Sequence, residues 1–513
     1  MLSVYEDADY YTHWIDNTHP SATDTSNPTG TPSVPRLTFP TMTGLAAGSV
    51  VQVRGGPYTG STLNINGAGT VSEPIFITGG TAYSGAELRR AIRVNGAASY
   101  IIIEGLLFTT VDESVCQLNP TTNVEITKVC VRDCEFIGNG VDTGPGACCS
   151  YGTSFATQLS DLVWLRNKIH EFGDWTALTE NDKHGYSGGI NSTRIWHLDN
   201  EVYHCGGDAI QSGHGFSQDT NPTTKLYIGR NHFYECGENG IDIKQVHDLV
   251  ISENNLHDFP TDIDAGQCMV LHYGPTTGQG CFNAWVLNNR FHDSNLGVTQ
   301  SANREDAPNF FIGNVFERIT GAALSHNLTS GGASRCYHNT IVDCGQGHDF
   351  TSDIASLEIA GDIVDQASIH IEVNTTPDTR TAVKVCCYQG GSNVTIMWEG
   401  STYTTVSTWI SSTSTGDGSI QSNPLFTNRA ANDFSLQVTS PCIGIGEDMS
   451  GVNTTFQATF GGSVSILKDR NGTTRPNGVW DIGAYQYATP APPAASKHHP
   501  GNWSPTGAVG AGF

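Results

Sequence analysis

One unit is written twice in succession between residues 196 and 245: LDNEVYHCGGDAIQSG (Leu198 to Gly213), then GRNHFYECGENGIDIK (Gly229 to Lys244). Asn200, Val202, Tyr203, Cys205 and Gly206 match Asn231, Phe233, Tyr234, Cys236 and Gly237 at a constant offset of 31 residues. A unit this short cannot bury its own apolar face and must stack on neighbours, so the chain has to be a solenoid. The apolar residue two places after the asparagine extends the series: Phe108, Phe136, Ile169, Val202, Phe233, Leu256, Phe291, Phe316, Ile341 and Val364, spaced by 23 to 35 residues. Variable spacing around a fixed core means coils of one shape joined by loops of different length. Each unit holds short runs of period-2 character, such as LVWLRNKI, KLYIGRNHF and LVISENNL, which argues for strands and against a helical repeat.

Seven anchors are preceded at minus two by asparagine: Asn167, Asn200, Asn231, Asn254, Asn289, Asn314 and Asn339. Asparagine tolerates the left-handed conformation of a tight corner, and stacked carboxamides can hydrogen-bond up a column. Three places after the anchor lie mostly apolar residues, among them Phe172, Cys205, Cys236, Phe259, Ile319 and Cys344. Two places after it lie Glu171, His204, Glu235, Asp258, Asp293, Arg318 and Asp343, so one column points in and its neighbour out. The expected fold is all-β, a right-handed parallel β-helix solenoid of about ten or more coils, and the chain resembles the pectate-lyase-like superfamily of such proteins. The phrase AGSVVQVRGGPY near the start resembles that superfamily's N-terminal cap, and SNPLFTNRAANDFSLQ, SPCIGIG and DRNGTTRPNGVWDIGAYQY resemble its closing segment. The organisation read from this is a cap over 1–60, coils over 61–365, further coils and the closing segment over 366–487, and a Pro/Ala/Gly-rich tail over 488–513.

Fifty acidic against 25 basic residues give a formal net charge of −25, which speaks against nucleic acid as a partner. A polyanionic substrate would need a cation or a local basic patch. Of the 14 cysteines, Cys205, Cys236 and Cys344 fall in the inward column and read as small core filler, although a Cys205–Cys236 bridge between adjacent rungs is within reach. No CxxC pair has zinc-like spacing, so no structural metal is expected. His170, His257 and His292, interrupted by Tyr203 and Tyr234, read as a solvent-side stack rather than a metal ladder. The opening MLSVYEDADYYTHW lacks the basic start and apolar run of a secretory leader, and no apolar stretch is long enough for a membrane span.

In a solenoid, binding faces form from the outward side chains of one sheet and the loops beside it. With Ile241 and Ile243 inside, Asp242 and Lys244 face out, and the longest insertions fence one face around residues 180–305. Resemblance to the superfamily's uronate eliminases implies a Lys or Arg base, with Ca²⁺ held by carboxylates or an Arg to stabilise developing charge. Carried over, the catalytic candidates are Lys244, His272 and Arg304, and the calcium candidates are Asp208 and Asp242. Trp175, Tyr186, Phe216 and Tyr273, with His214, are the expected sugar-binding residues in the flanking loops.

The resulting expectation is an extracellular or virion-displayed protein that binds a polysaccharide and cleaves it by β-elimination. The competing reading is a non-catalytic display protein: a phage spike, head fibre or decoration protein, or a cell-surface fibre. Under that second reading other copies, or virion or surface proteins, are partners through the C-terminal tail.

Overall fold

The computed structural model describes residues 10–80, 86–109, 114–119, 124–141, 146–152, 158–177, 182–213, 222–259, 266–272, 280–301, 306–326, 332–350, 356–373, 381–391 and 393–488. Among these, three parallel sheets of 14 strands each share one core, and the parallel pairing is broken only by an antiparallel last pair in the second sheet. Each coil contributes one strand to each sheet in turn, which is the expected right-handed parallel β-helix. The first sheet runs from strand His13–Asp16 to Thr381–Lys384, the second from Leu63–Ile65 to Ser401–Tyr403, and the third from Tyr58–Thr59 to Ile420–Gln421.

The ten anchors form one continuous column of paired residues in the third sheet, Phe108↔Phe136↔Ile169↔Val202↔Phe233↔Leu256↔Phe291↔Phe316↔Ile341↔Val364. All ten are fully buried. The column stacks aromatic on aromatic where it can, as at Phe108–Phe136 and Phe291–Phe316. Outside the same sheet His170, Tyr203, Tyr234, His257 and His292 stack ring on ring with centroids 4.5 to 5.2 Å apart, the expected solvent-side pile.

The asparagine column works differently from the simplest expectation. The left-handed residue at each corner is the one before the asparagine: Arg166, Asp199, Arg230, Glu253 and Asn288 have φ between 51° and 58°. The asparagine instead supplies a carboxamide to the interior. Asn200 Oδ1 accepts the backbone N–H of Asn167, while Asn200 Nδ2 donates to Trp164 O and to Asn231 Oδ1, and the pattern repeats from coil to coil. At the end of the ladder Asp362 takes the asparagine's place and accepts from the backbone of Asn339. The coils run on past Val364, through Ile369–Val373, Cys387–Gln389 and Ile396–Trp398, over a stretch without the asparagine marker.

Both ends are covered, as open strand edges require. Near the start, Met42 and Leu45, from the segment between the first two strands of the first sheet, are buried in the shared core. Near the end, helix Val406–Thr413, N-capped by Thr405 whose side chain accepts from Thr408 N, buries Trp409 against Trp398 over the last coil. The chain then doubles back, and helix Ser450–Phe460 sets Phe456 on Trp285 of the outer face of the first sheet. All 14 cysteines are free thiols, and Cys205, Cys236 and Cys344 are buried core residues.

Candidate functional site

The second sheet departs from strict alternation. Gly240 and Ile241 are consecutive, yet both face the core: Ile241 is wholly buried, and a Cβ at Gly240 would stand 2.6 Å from Leu256 and 2.7 Å from Phe259. The same small-then-large pair recurs as Gly185-Tyr186, Ala209-Ile210, Cys268-Met269 and Ala323-Leu324. Polar residues flank three of these pairs on the outward face, His184 and Ser187, Asp208 and Gln211, Asn239 and Asp242, whereas the next pair has Gln267 on one side and the apolar Val270 on the other.

Asp242 is the hub. Its Oδ1 lies 2.8 Å from His272 Nε2 and its Oδ2 lies 3.2 Å from Lys244 Nζ. The carboxylate side chain is 7% exposed, against 27% for Lys244 and 36% for His272, so a sunken acid holds two groups that reach the surface. Burial works to raise the Asp242 pKa, but hydrogen bonding and charge from His272, then Lys244, outweigh it and hold it below the usual carboxylate range. Burial likewise works to lower the Lys244 pKa, and the charge and hydrogen bond of Asp242 reverse the sign, leaving the ammonium form favoured.

One coil earlier Asp208 has the opposite fate. It is fully buried, and its pKa is raised, first by that burial and then by the Asp242 charge. Asn239 Nδ2 donates to its Oδ1 at 2.9 Å and Gln211 Nε2 to its Oδ2 at 3.3 Å. The backbone N–H of Asp208 donates to His184 Nδ1 at 2.9 Å, which leaves the imidazole hydrogen of a neutral His184 on Nε2, 3.7 Å from Asp182. Glu238 Oε2 stands 3.9 Å from His184 Nδ1.

The structure thus brings together Lys244, His272 and Asp242, with Asp208 alongside. Tyr186 is a correction. It lies in strand Lys183–Gly188 rather than a loop and is wholly buried, its hydroxyl donating to Asn200 Oδ1, so it cannot present a face to sugar. Gly185 and Tyr186 are successive inward residues: a Cβ at Gly185 would stand 2.5 Å from Val202, and the Tyr186 ring is buried in the core. Trp175 sits at the third-sheet corner, stacked on His204 at 4.7 Å. Arg304, His214, Phe216 and Tyr273 lie outside the described residues, as does the tail from 489. His184, Gln211, Glu238 and Asn239 escaped the sequence reading, although Glu238 and Asn239 occupy the places of Gly207 and Asp208 in the duplicated unit and so were open to discovery there.

No family model matches the chain, and no curated protein matches it. Among solved structures it is similar to pectate lyase Pel9A, with 12% identity over 93% of this chain and 96% of that one and a TM-score of 0.37. It is similar also to XylC in complex with xylose, with 9% identity, coverage of 93% and 98% and a TM-score of 0.45. A third is tailspike protein gp49 from Acinetobacter baumannii bacteriophage Fri1, a capsular polysaccharide depolymerase, with 11% identity, coverage of 66% and 59% and a TM-score of 0.35. Such likeness concerns fold alone. The chain is a right-handed parallel β-helix of three sheets.

The expected calcium fits this β-helix poorly. Calcium takes about six to eight oxygen ligands. Both oxygens of Asp208 already accept from amides, and both of Asp242 face His272 and Lys244. The two carboxylates therefore do not converge on a shared cation.

Proposed function

We propose that the protein binds an acidic polysaccharide on the outward face of the second sheet and cleaves it by β-elimination. The observation that carries this reading is that one buried carboxylate, Asp242, grips both His272 and Lys244. In a neutral His272, a hydrogen on Nε2 facing Asp242 leaves the lone pair on Nδ1, which suits the imidazole to take a proton. Lys244, kept as an ammonium, cannot be the base and instead neutralises a uronate carboxylate, which acidifies the carbon next to it. His272 removes the proton on C5, the C–H electrons form the C4–C5 double bond, and the C4–O4 bond breaks. The leaving oxygen takes a proton from water. The base is then His272 rather than the lysine that the resemblance implies, and Lys244 is the carboxylate clamp. A polymer of this kind meets the protein outside a cell, so the place of action is extracellular or on a virion surface.

The test is incubation with polygalacturonate, alginate and a neutral xylan, following the ultraviolet absorbance of the unsaturated uronate alongside reducing ends. Rising absorbance on an acidic polymer, lost in His272→Ala, is expected. Reducing ends without absorbance would replace elimination by hydrolysis, and no product from any polymer would leave the display reading in its place.

A further inference from the structure

The outer face of the first sheet carries a second feature. Trp196, Tyr227, Val250, Trp285 and Phe310 stand in register on successive coils, an apolar row turned away from the core. Helix Ser450–Phe460 covers the later part of the row, where Trp285 stacks on Phe310 at 3.8 Å and meets Phe456 at 5.0 Å. Trp196 and Tyr227 stay half-buried on the floor of a groove of about 710 Å³, walled by Phe456, Phe460 and Ile466. That volume lies inside the range of roughly 300–1,000 Å³ of small-ligand sites. The Tyr227 ring is fixed: its hydroxyl is 2.9 Å from Ser252 Oγ, and the ring lies over Gly229, where a Cβ would stand 2.7 Å from it.

The rim runs against the charge of the chain. Arg194, Lys225 and Lys468 line the groove with Glu253 as the single carboxylate, in a protein with twice as many acids as bases. Arg194 is paired to Asp161. Lys128, Lys168, Lys244 and Lys384 each have a carboxylate within ion-pair distance, whereas among the described residues Lys225 and Lys468 have none. Two exposed, uncompensated ammonium groups beside two flat rings match a ligand that offers carboxylates and pyranose faces together.

We propose that this groove is a second binding site for an acidic oligosaccharide, separate from the Asp242 site, with Trp196 and Tyr227 as the platform for sugar rings and Lys225 and Lys468 as the carboxylate contacts. The identity of the ligand rests on the reading that the polymer is acidic. The groove would hold the polymer without cutting it, keeping the protein on its substrate between cleavage events by raising the local concentration of chain.

The test uses the full chain carrying His272→Ala, titrated calorimetrically with hexasaccharides of galacturonate, of mannuronate and of xylose. At least one acidic hexasaccharide should bind. Lys225→Glu/Lys468→Glu should weaken that binding by roughly tenfold or more, the wild-type affinity should fall with added salt, and Trp196→Ala should remove the site from the stoichiometry. Both lysines are exposed, so the charge reversal carries the test if Trp196→Ala fails to fold. Unchanged acidic binding in the lysine variant, equal binding of xylohexaose, no binding of either acidic hexasaccharide, or a concentration-dependent dimer lost in Trp196→Ala would each overturn the proposal. Uronate cleavage together with unchanged binding in the groove variants overturns the groove alone, and groove-dependent binding without cleavage overturns the lyase reading alone.

Discussion

Asn231 and Asn254 are joined twice: the backbone N–H and the side-chain Nδ2 of Asn231 both donate to Oδ1 of Asn254, each at 2.9 Å. Asn254 in turn donates to Ile228 O and Asn289 Oδ1, with no exposed surface. One side chain therefore satisfies two donors of the coil before, a carbonyl and the next rung. Asn254→Ala strands at least one backbone N–H in a dry interior, at about 1–3 kcal/mol for each orphaned group. The expected loss is about 3 kcal/mol in denaturant unfolding. A loss under about 0.5 kcal/mol would show that the ladder is not a structural column.

Phe233 sits mid-column between Val202 and Leu256, fully buried. Phe233→Ala should cost about 3–5 kcal/mol, because the solenoid cannot collapse into the space without moving both neighbouring coils. A variant that melts with the wild type would break the assignment of this residue to the core.

Most of the core was legible because it repeats. The anchor, the asparagine two places before it and the outward charged residue two places after it recur on coil after coil, and each maps to one column of the structure. Legibility failed where the period changed. The second sheet places two inward residues in succession, and Tyr186, read as part of a flanking loop, is the second of such a pair after Gly185 in a strand. Beyond Asn339 the marker lapses, Asp362 standing for asparagine in the ladder, and the coils continue without it. At the candidate site Asp242 and Lys244 were readable from period 2, but the clamp on His272 comes from the next coil, a contact set by stacking that linear spacing does not display.

Asp208 and Asp242 should respond to pH with opposite signs. The folded-state pKa of Asp208 is raised above an unfolded value of about 3.9, so its ionisation costs stability as pH rises and the full cost is present above the folded value. Asp208→Asn removes that cost, and the variant should melt above the wild type at neutral pH with the gain fading below about pH 4. Asp242 is depressed, so its pairs stabilise above about pH 3.9 and are lost as pH falls through the folded value. Asp242→Asn should therefore melt lower than wild type at neutral pH and converge with it in acid. Melting both variants across pH checks the two signs together, and a shift of the same sign in both would refute the difference in environment.

His272 and Lys244 should separate into chemistry and binding, although one carboxylate holds both. If His272 takes the proton, His272→Ala loses about 10²–10⁴-fold in kcat, the range of a missing general base, and keeps its affinity for the acidic polymer. Lys244 makes its contact with the substrate carboxylate both before and during proton removal, so Lys244→Ala should raise KM for acidic polymers as well as lower kcat, and Lys244→Arg should recover part of both. Asp242→Asn removes the charge that favours the ammonium and weakens the hold on the imidazole, and should combine the two defects. In the double variant His272→Ala/Asp242→Asn the loss in kcat should fall short of the product of the single losses, because Asp242 acts on proton transfer through His272. Full additivity would mean that Asp242 works elsewhere, and an unchanged rate in His272→Ala would remove the imidazole from the reaction.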